Sequence, residues 1–268
     1  MNKNNYSPNR IVCLTEEPTE TLYLLGEENR IVGISTFTVR PSQARKEKPV
    51  VSSFLDANIN KILDLKPDLV IGFSDIQSGI AEQLIKKGIT VWINNYRDIK
   101  GIKNMIFQLG SIVGKQNQAQ ELISSIDDKL LKISLEIENW VKKPKVYFEE
   151  WDSPIITAIE WVSEIIRLSG GNNIFDDISC KSLAKDRIIN DSKVIIKKNP
   201  DIIFVSWCGK KFKKEKMTSR KGWDKINAVK NDLIYEIPSE IILQPGPASL
   251  TDGLNVIHTI LKSWQNIK

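Results

Sequence analysis

The chain has 268 residues, 41% of them hydrophobic, and carries 38 lysines and arginines against 33 acidic residues for a net charge of +5. Such a length and composition give one large or two small globular domains with a real core, and the charge balance is too even to make nucleic acid the main partner. Cys13, Cys180 and Cys208 are far apart and His258 is the single histidine, so the sequence holds neither a disulfide framework nor a zinc site, and reduced thiols are expected.

Residues 1–10 are polar, and the first apolar run, Ile11 to Leu14, is far shorter than a signal-peptide core or a membrane span. A cytoplasmic protein with no membrane insertion is the expectation, with no lipid anchor at Cys13. Short strands and helices then alternate. Arg10 to Leu14 reads as a strand, Pro18 to Leu25 as a helix stopped by Gly26, Ile31 to Ile34 as a strand and Asn58 to Leu65 as a helix. The series continues with a buried strand Leu69 to Phe73, a helix ending at Gly88, a strand Thr90 to Ile93 and a helix Ile99 to Val113. Alternation of this kind builds a parallel sheet covered by helices.

From Gln116 to Lys142 there is no Gly or Pro, and Leu122, Ile126, Leu130, Ile133, Ile137 and Val141 recur at helical spacing. One long helix is expected there. Beyond Pro144 the alternation resumes with a strand Lys145 to Phe148, a helix Trp161 to Leu168 closed by Gly170 and Gly171, a helix Ser192 to Lys198, a strand Ile202 to Ser206 and a last helix Leu254 to Trp264. The fold class is therefore α/β: two Rossmann-like lobes with parallel sheets, 1–114 and 144–268, joined by a backbone helix at 115–143. The lobes also repeat each other. Ile62 to Val70 matches Ile195 to Ile203, each a helix, a Pro-Asp stop and a buried strand, with Pro67 and Pro200 separated by the same 133 residues as Glu16-Glu17 and Glu149-Glu150.

In open parallel sheets ligands sit at the carboxyl ends of the strands, where loops converge. Those ends carry Glu16 and Glu17, Phe37 and Arg40, Asp75, Glu149, Glu150 and Trp151, and Trp207 with Cys208. Gln244, in a rigid Gln-Pro-Gly-Pro loop, completes the candidate ligand-binding set. Helix capping competes for the acidic members, and packing competes for the tryptophans. The lysine-rich run from Lys210 to Lys221 lacks the aromatic platform of a single-strand binder and is expected as a solvated surface loop.

Arg10-Ile-Val-Cys-Leu14, Glu20-Thr-Leu-Tyr-Leu-Leu-Gly26, Arg30-Ile-Val-Gly-Ile-Ser35 and Asn60-Lys-Ile-Leu-Asp-Leu-Lys-Pro-Asp-Leu-Val70 resemble the substrate-binding proteins of cobalamin and iron-siderophore ABC importers, over nearly the whole chain. The segment at Pro41 and the approach from Val50 to Asn58 are most similar to the cobalamin binders. The resemblance implies the class III periplasmic-binding-protein fold and a corrinoid, such as cobalamin, held between the lobes as ligand, with no cofactor required and no chemistry done on it. It also implies a docking glutamate on each lobe for a membrane permease. Here the first-lobe position falls near Ser78 and the second on the 210–221 lysine run, so permease docking is not expected.

The alternative is a cytoplasmic enzyme using Glu17 and Glu150 as acid and base. Against it, Gly110-Ser-Ile-Val-Gly-Lys115 is one residue short of a phosphate loop, and there is no dinucleotide glycine fingerprint and no Gly-x-Ser-x-Gly elbow. Neither catalytic residues nor metal ligands are assigned.

Overall fold

The computed structural model describes residues 6–267. The chain divides into two compact units, the first running through Tyr96 and adding Lys100–Ser125, the second made of Arg97–Ile99 and the chain from Ile126 onward. The segment 115–143, set apart above as a joining helix, is shared: helix Gln116–Ile137 begins in one unit and ends in the other.

The first unit has five strands, β1 (Ile11–Cys13), β2 (Ile31–Ser35), β3 (Val50–Ser52), β4 (Leu69–Phe73) and β5 (Val91–Asn94), in the order β3-β2-β1-β4-β5 and parallel throughout. Parallel strands need crossovers, and helices Glu16–Leu24, Ile59–Asp64 and Ser78–Ile85 supply them. Every residue of β4 is buried, as expected of a strand covered on both faces. Val12, Leu14, Val51, Ile62, Val70, Ile80 and Leu84 form the core here, each aliphatic side chain contributing roughly 1.5–3 kcal/mol by its burial.

The second unit has β6 (Lys145–Asp152), β7 (Ile155–Thr157), β8 (Asn172–Asn173), β9 (Ile202–Val205) and β10 (Ile234–Glu236), in the order β10-β9-β6-β7 with β8 beside β6. This sheet departs from the all-parallel expectation. Only Ser153 and Pro154 separate β6 from β7, so the chain turns back and β7 pairs antiparallel. The β6 strand also runs four residues beyond Phe148, which places Glu149, Glu150, Trp151 and Asp152 inside the sheet instead of in a loop after it.

The internal repeat has a physical basis. Lys66 and Asn199 both adopt left-handed backbone, φ 46° and 47°, ending a helix one residue before the Pro-Asp pair. The aspartate then ties the next strand to its neighbour. Asp68 accepts the Asn9 and Arg10 N–H groups at 2.7 and 2.9 Å, and Asp201 accepts the Lys145 N–H at 3.0 Å. In return the Asp68 and Asp201 N–H groups donate to the carbonyls of Arg10 and Lys145.

Helix Gln116–Ile137 stops five residues short of the expected Lys142. Its buried positions are Ala119, Ile123, Ile126 and Ile133, whereas Val141, counted above in the apolar stripe, is 95% exposed. No apolar surface holds a further turn. Trp140 instead packs where Gly170 closes helix Glu160–Leu168: a Cβ on Gly170, φ +98°, would lie 2.4 Å from the Trp140 ring.

Candidate functional site

In the first unit the strand ends of β1 and β2 are fastened together by helix Glu16–Leu24. Glu16 accepts the Val39 N–H at 2.8 Å, and Arg40 donates to Glu20 at 3.0 Å. Glu16 and Glu17 are 1% and 2% exposed, and one oxygen of each has no partner. Burial, with some repulsion from neighbouring glutamates, pushes Glu16 up to about 8 and Glu17 up to about 6. They are structural members of this face, not exposed contacts. Phe37 and Asp75 are exposed and Arg40 is half-buried, so these three present surface. Asp75 and Ser78 border a cavity of about 460 Å³ with Ile85, Ile93 and Asn95.

Gln77 went unnoticed in the sequence and organises this end of the sheet. Wholly buried, it accepts the Phe73 N–H at 2.9 Å while donating to the carbonyls of Leu14 and Phe54 at 3.4 and 3.0 Å. One amide thereby joins the segments after β1, β3 and β4.

In the second unit the acidic residues of β6 are paired. Glu149 is fully buried and takes both Arg220 guanidinium nitrogens at 2.6 and 2.9 Å, the Tyr147 hydroxyl at 2.9 Å and the Trp207 indole N–H at 3.2 Å. Burial pushes its carboxyl upward, and the bidentate Arg220 guanidinium opposes that shift in part. Glu150 is bound through both oxygens by Arg187, itself 2% exposed, at 2.5 and 3.1 Å. Asp152 is buried too. Although burial raises its proton affinity, the ammonium groups of Lys210 (2.6 and 2.7 Å) and Lys216 (2.5 Å) hold it below the ordinary carboxylate range.

The 210–221 segment is therefore not a solvated loop. Lys210, Lys216 and Arg220 are bonded to Asp152 and Glu149, Lys214 pairs with Asp232, and Met217 is wholly buried. The charge pattern was visible in the sequence, but the buried carboxylates that answer it lie far away along the chain.

Trp207 is 4% exposed and belongs to the core with Tyr147, Met217 and Trp223, and the ammonium groups of Lys210 and Lys216 lie over its ring, 5.2 and 6.0 Å from the centroid. Trp161 is likewise core, its N–H on the Ile242 carbonyl at 2.8 Å. Trp151 is half-buried, Cys208 exposed and Gln244 half-buried, and these three present surface in this unit. The acid–base pair considered above, Glu17 and Glu150, is disabled on one side, because Arg187 occupies both oxygens of Glu150. Among the described residues no group of three or more His, Cys, Asp or Glu side chains is placed to hold a metal ion. No helix there is long and apolar enough to cross a membrane.

These folds and faces have counterparts. The family model described as periplasmic binding protein matches residues 11–241. The chain belongs to that family. An ABC transporter substrate-binding lipoprotein of Bacillus subtilis, YvrC, is 28% identical over 250 residues, covering 90% of this chain and 76% of the relative. The vitamin B12-binding protein of Vibrio vulnificus is 26% identical over 248 residues, 90% and 86% of the two chains. Among solved structures, a possible iron-binding periplasmic solute-binding protein of Staphylococcus epidermidis superposes with a TM-score of 0.79 at 28% identity, covering 95% of this chain and 98% of its own.

Proposed function

We propose that this chain is a substrate-binding protein whose ligand is a corrinoid or a comparably bulky, vitamin-like small molecule, contacted by the strand-end face of each unit and released unchanged. The observation that carries the reading is the family match across residues 11–241, which takes in both units. A named vitamin B12 binder among the relatives supports the ligand class. On the first unit Phe37, Arg40 and Asp75 supply contacts, with Glu16 and Glu20 fixing the segment that carries Phe37 and Arg40 and Glu17 buried beneath it. On the second, Trp151, Cys208 and Gln244 do so, with Glu149, Glu150 and Trp207 holding the surface beneath them. Buried, doubly bonded carboxylates suit a rigid binding face better than proton transfer.

The test is calorimetric titration with cobalamin, a cobalamin precursor lacking the lower ligand, a ferric siderophore complex and heme. Saturable heat with a corrinoid and none with the others is expected. Heat with the iron complexes alone would replace the corrinoid, and chemical alteration of any recovered ligand would replace binding with catalysis. Two further elements of the proposal are a cytoplasmic location and the absence of permease docking through position 78, where a serine stands. Fractionation of the native source tests the first, and recovery in an envelope fraction, as the lipoprotein name of the Bacillus relative implies for that protein, would overturn it.

A further inference from the structure

We propose that Trp151, Trp207 and Asp152 form a binding site for an organic ammonium ion, occupied in this structure by the chain's own Lys210. The Lys210 Nζ lies 5.1 Å from the centroid of the Trp151 ring and 5.2 Å from that of Trp207, and it donates to both Asp152 oxygens at 2.6 and 2.7 Å. Two indole faces and a carboxylate around one ammonium make up the chemistry that recognises alkylammonium groups. Trp151 and Asp152 stand together at the end of β6, just after a bulge between Glu149 and Trp151, and both meet the Lys210 ammonium.

The walls of this site are fixed without Lys210. Trp207 is held by its N–H on Glu149 at 3.2 Å and by the edge of Phe212, with ring centroids 5.1 Å apart. Trp151 is held by its N–H on the Ser153 carbonyl at 3.0 Å, and Asp152 by the β6–β7 pairing. The carboxylate side chain has no solvent exposure, so it demands a cation. Lys210 by contrast follows Gly209 in left-handed backbone, φ +70°, with nothing within 4 Å of where a Cβ would stand, and its side chain is 36% exposed. The occupant is the most exposed part. Lys216 reaches the same carboxylate, at the Oδ2 that Lys210 also bonds, at 2.5 Å and lies 6.0 Å from the Trp207 ring. A hydrated metal ion is a poor occupant, because the site offers one carboxylate and two aromatic faces in place of several oxygens. An N-methylated alkylammonium is weakly hydrated and gains contact with both rings.

The site shares Trp151 and Trp207 with the reading above but does not depend on its ligand, and a corrinoid titration and an amine titration fail separately. The test is the full chain carrying Lys210→Ala and Lys216→Ala, titrated with tetramethylammonium chloride against sodium chloride at equal ionic strength, with tryptophan emission as the readout. A saturable change with the organic cation, absent with sodium and abolished by adding Asp152→Asn, is expected. Emission that follows ionic strength alone overturns the proposal. Should the double variant not fold, wild-type protein and trypsin decide: methylammonium displacing Lys210 should speed cleavage after Lys211 and Lys213 several-fold over sodium chloride, and equal rates in the two salts overturn it.

Discussion

Replacing Glu16 with glutamine should shift the stability balance in the variant's favour by an amount that grows with pH. Glu16 is 1% exposed, and burial pushes its carboxyl from 4.5 up to about 8. The folded state therefore keeps the proton over a range in which the unfolded chain has released it, so stability falls as pH rises from about 4.5 to about 8. Below that window both states are protonated and Glu16 contributes nothing; above it the full penalty stands. At about 1.4 kcal/mol per unit, the penalty is roughly 3 kcal/mol at pH 7 and roughly 5 kcal/mol near pH 9. Glutamine keeps a carbonyl to accept the Val39 N–H and has no charge to release. Its amide meets the position where one Glu16 oxygen has no partner, a cost of about 1–3 kcal/mol that does not vary with pH. The measurement is urea unfolding of both proteins at about pH 5, 7 and 8.5. The difference should move by about 4 kcal/mol in favour of E16Q between the lowest and highest pH. A difference that stays flat would show that Glu16 is not neutral in the folded state and would refute the reasoning.

Trp207→Ala removes a core ring and should cost about 3–5 kcal/mol in denaturant unfolding, whereas a loss under about 1 kcal/mol would mean that the ring is not packed. Glu149→Gln leaves the Arg220 guanidinium largely buried without its counter-charge and should cost about 3–5 kcal/mol; a Glu149→Leu, Arg220→Met double variant should recover only part of that, because the buried Tyr147 hydroxyl and Trp207 N–H also lose their acceptor, and full recovery would argue against those two bonds. Asp201→Ala removes the acceptor for the Lys145 N–H and should cost about 1–2 kcal/mol, as Asp68→Ala should in the first unit; a thermal-melt effect at one site and none at the other would contradict an equivalent role for the two stops.

How far the sequence carried depends on where each signal resides. Leu69–Phe73 was read to the residue, because a buried apolar run between Pro-Asp and Ser-Asp has one physical solution. The three-residue strands β3, β7 and β10 escaped, being too short for a period to form. β6 was cut short at Phe148 because Glu149-Glu150-Trp151-Asp152 reads as a polar cluster. Arg220, Arg187 and Lys210, far along the chain, neutralise those carboxylates and allow them into the sheet. The same long-range pairing hid the docked state of the 210–221 segment. For the candidate site, sequence marked residues near strand ends, and burial separates them: Glu16, Glu17, Glu149 and Trp207 lie beneath the surface, while Phe37, Asp75 and Cys208 are on it.

The proposed function has the chain carry a small molecule without transforming it. Native mass spectrometry of the protein isolated from its own cells checks this, with the ligand then released by denaturation and its mass compared before and after incubation. A single stoichiometric adduct in the corrinoid mass range, released unchanged and able to rebind, is expected. An adduct that is consumed on incubation, or a chain that carries no adduct and gives no heat with any corrinoid, would contradict it.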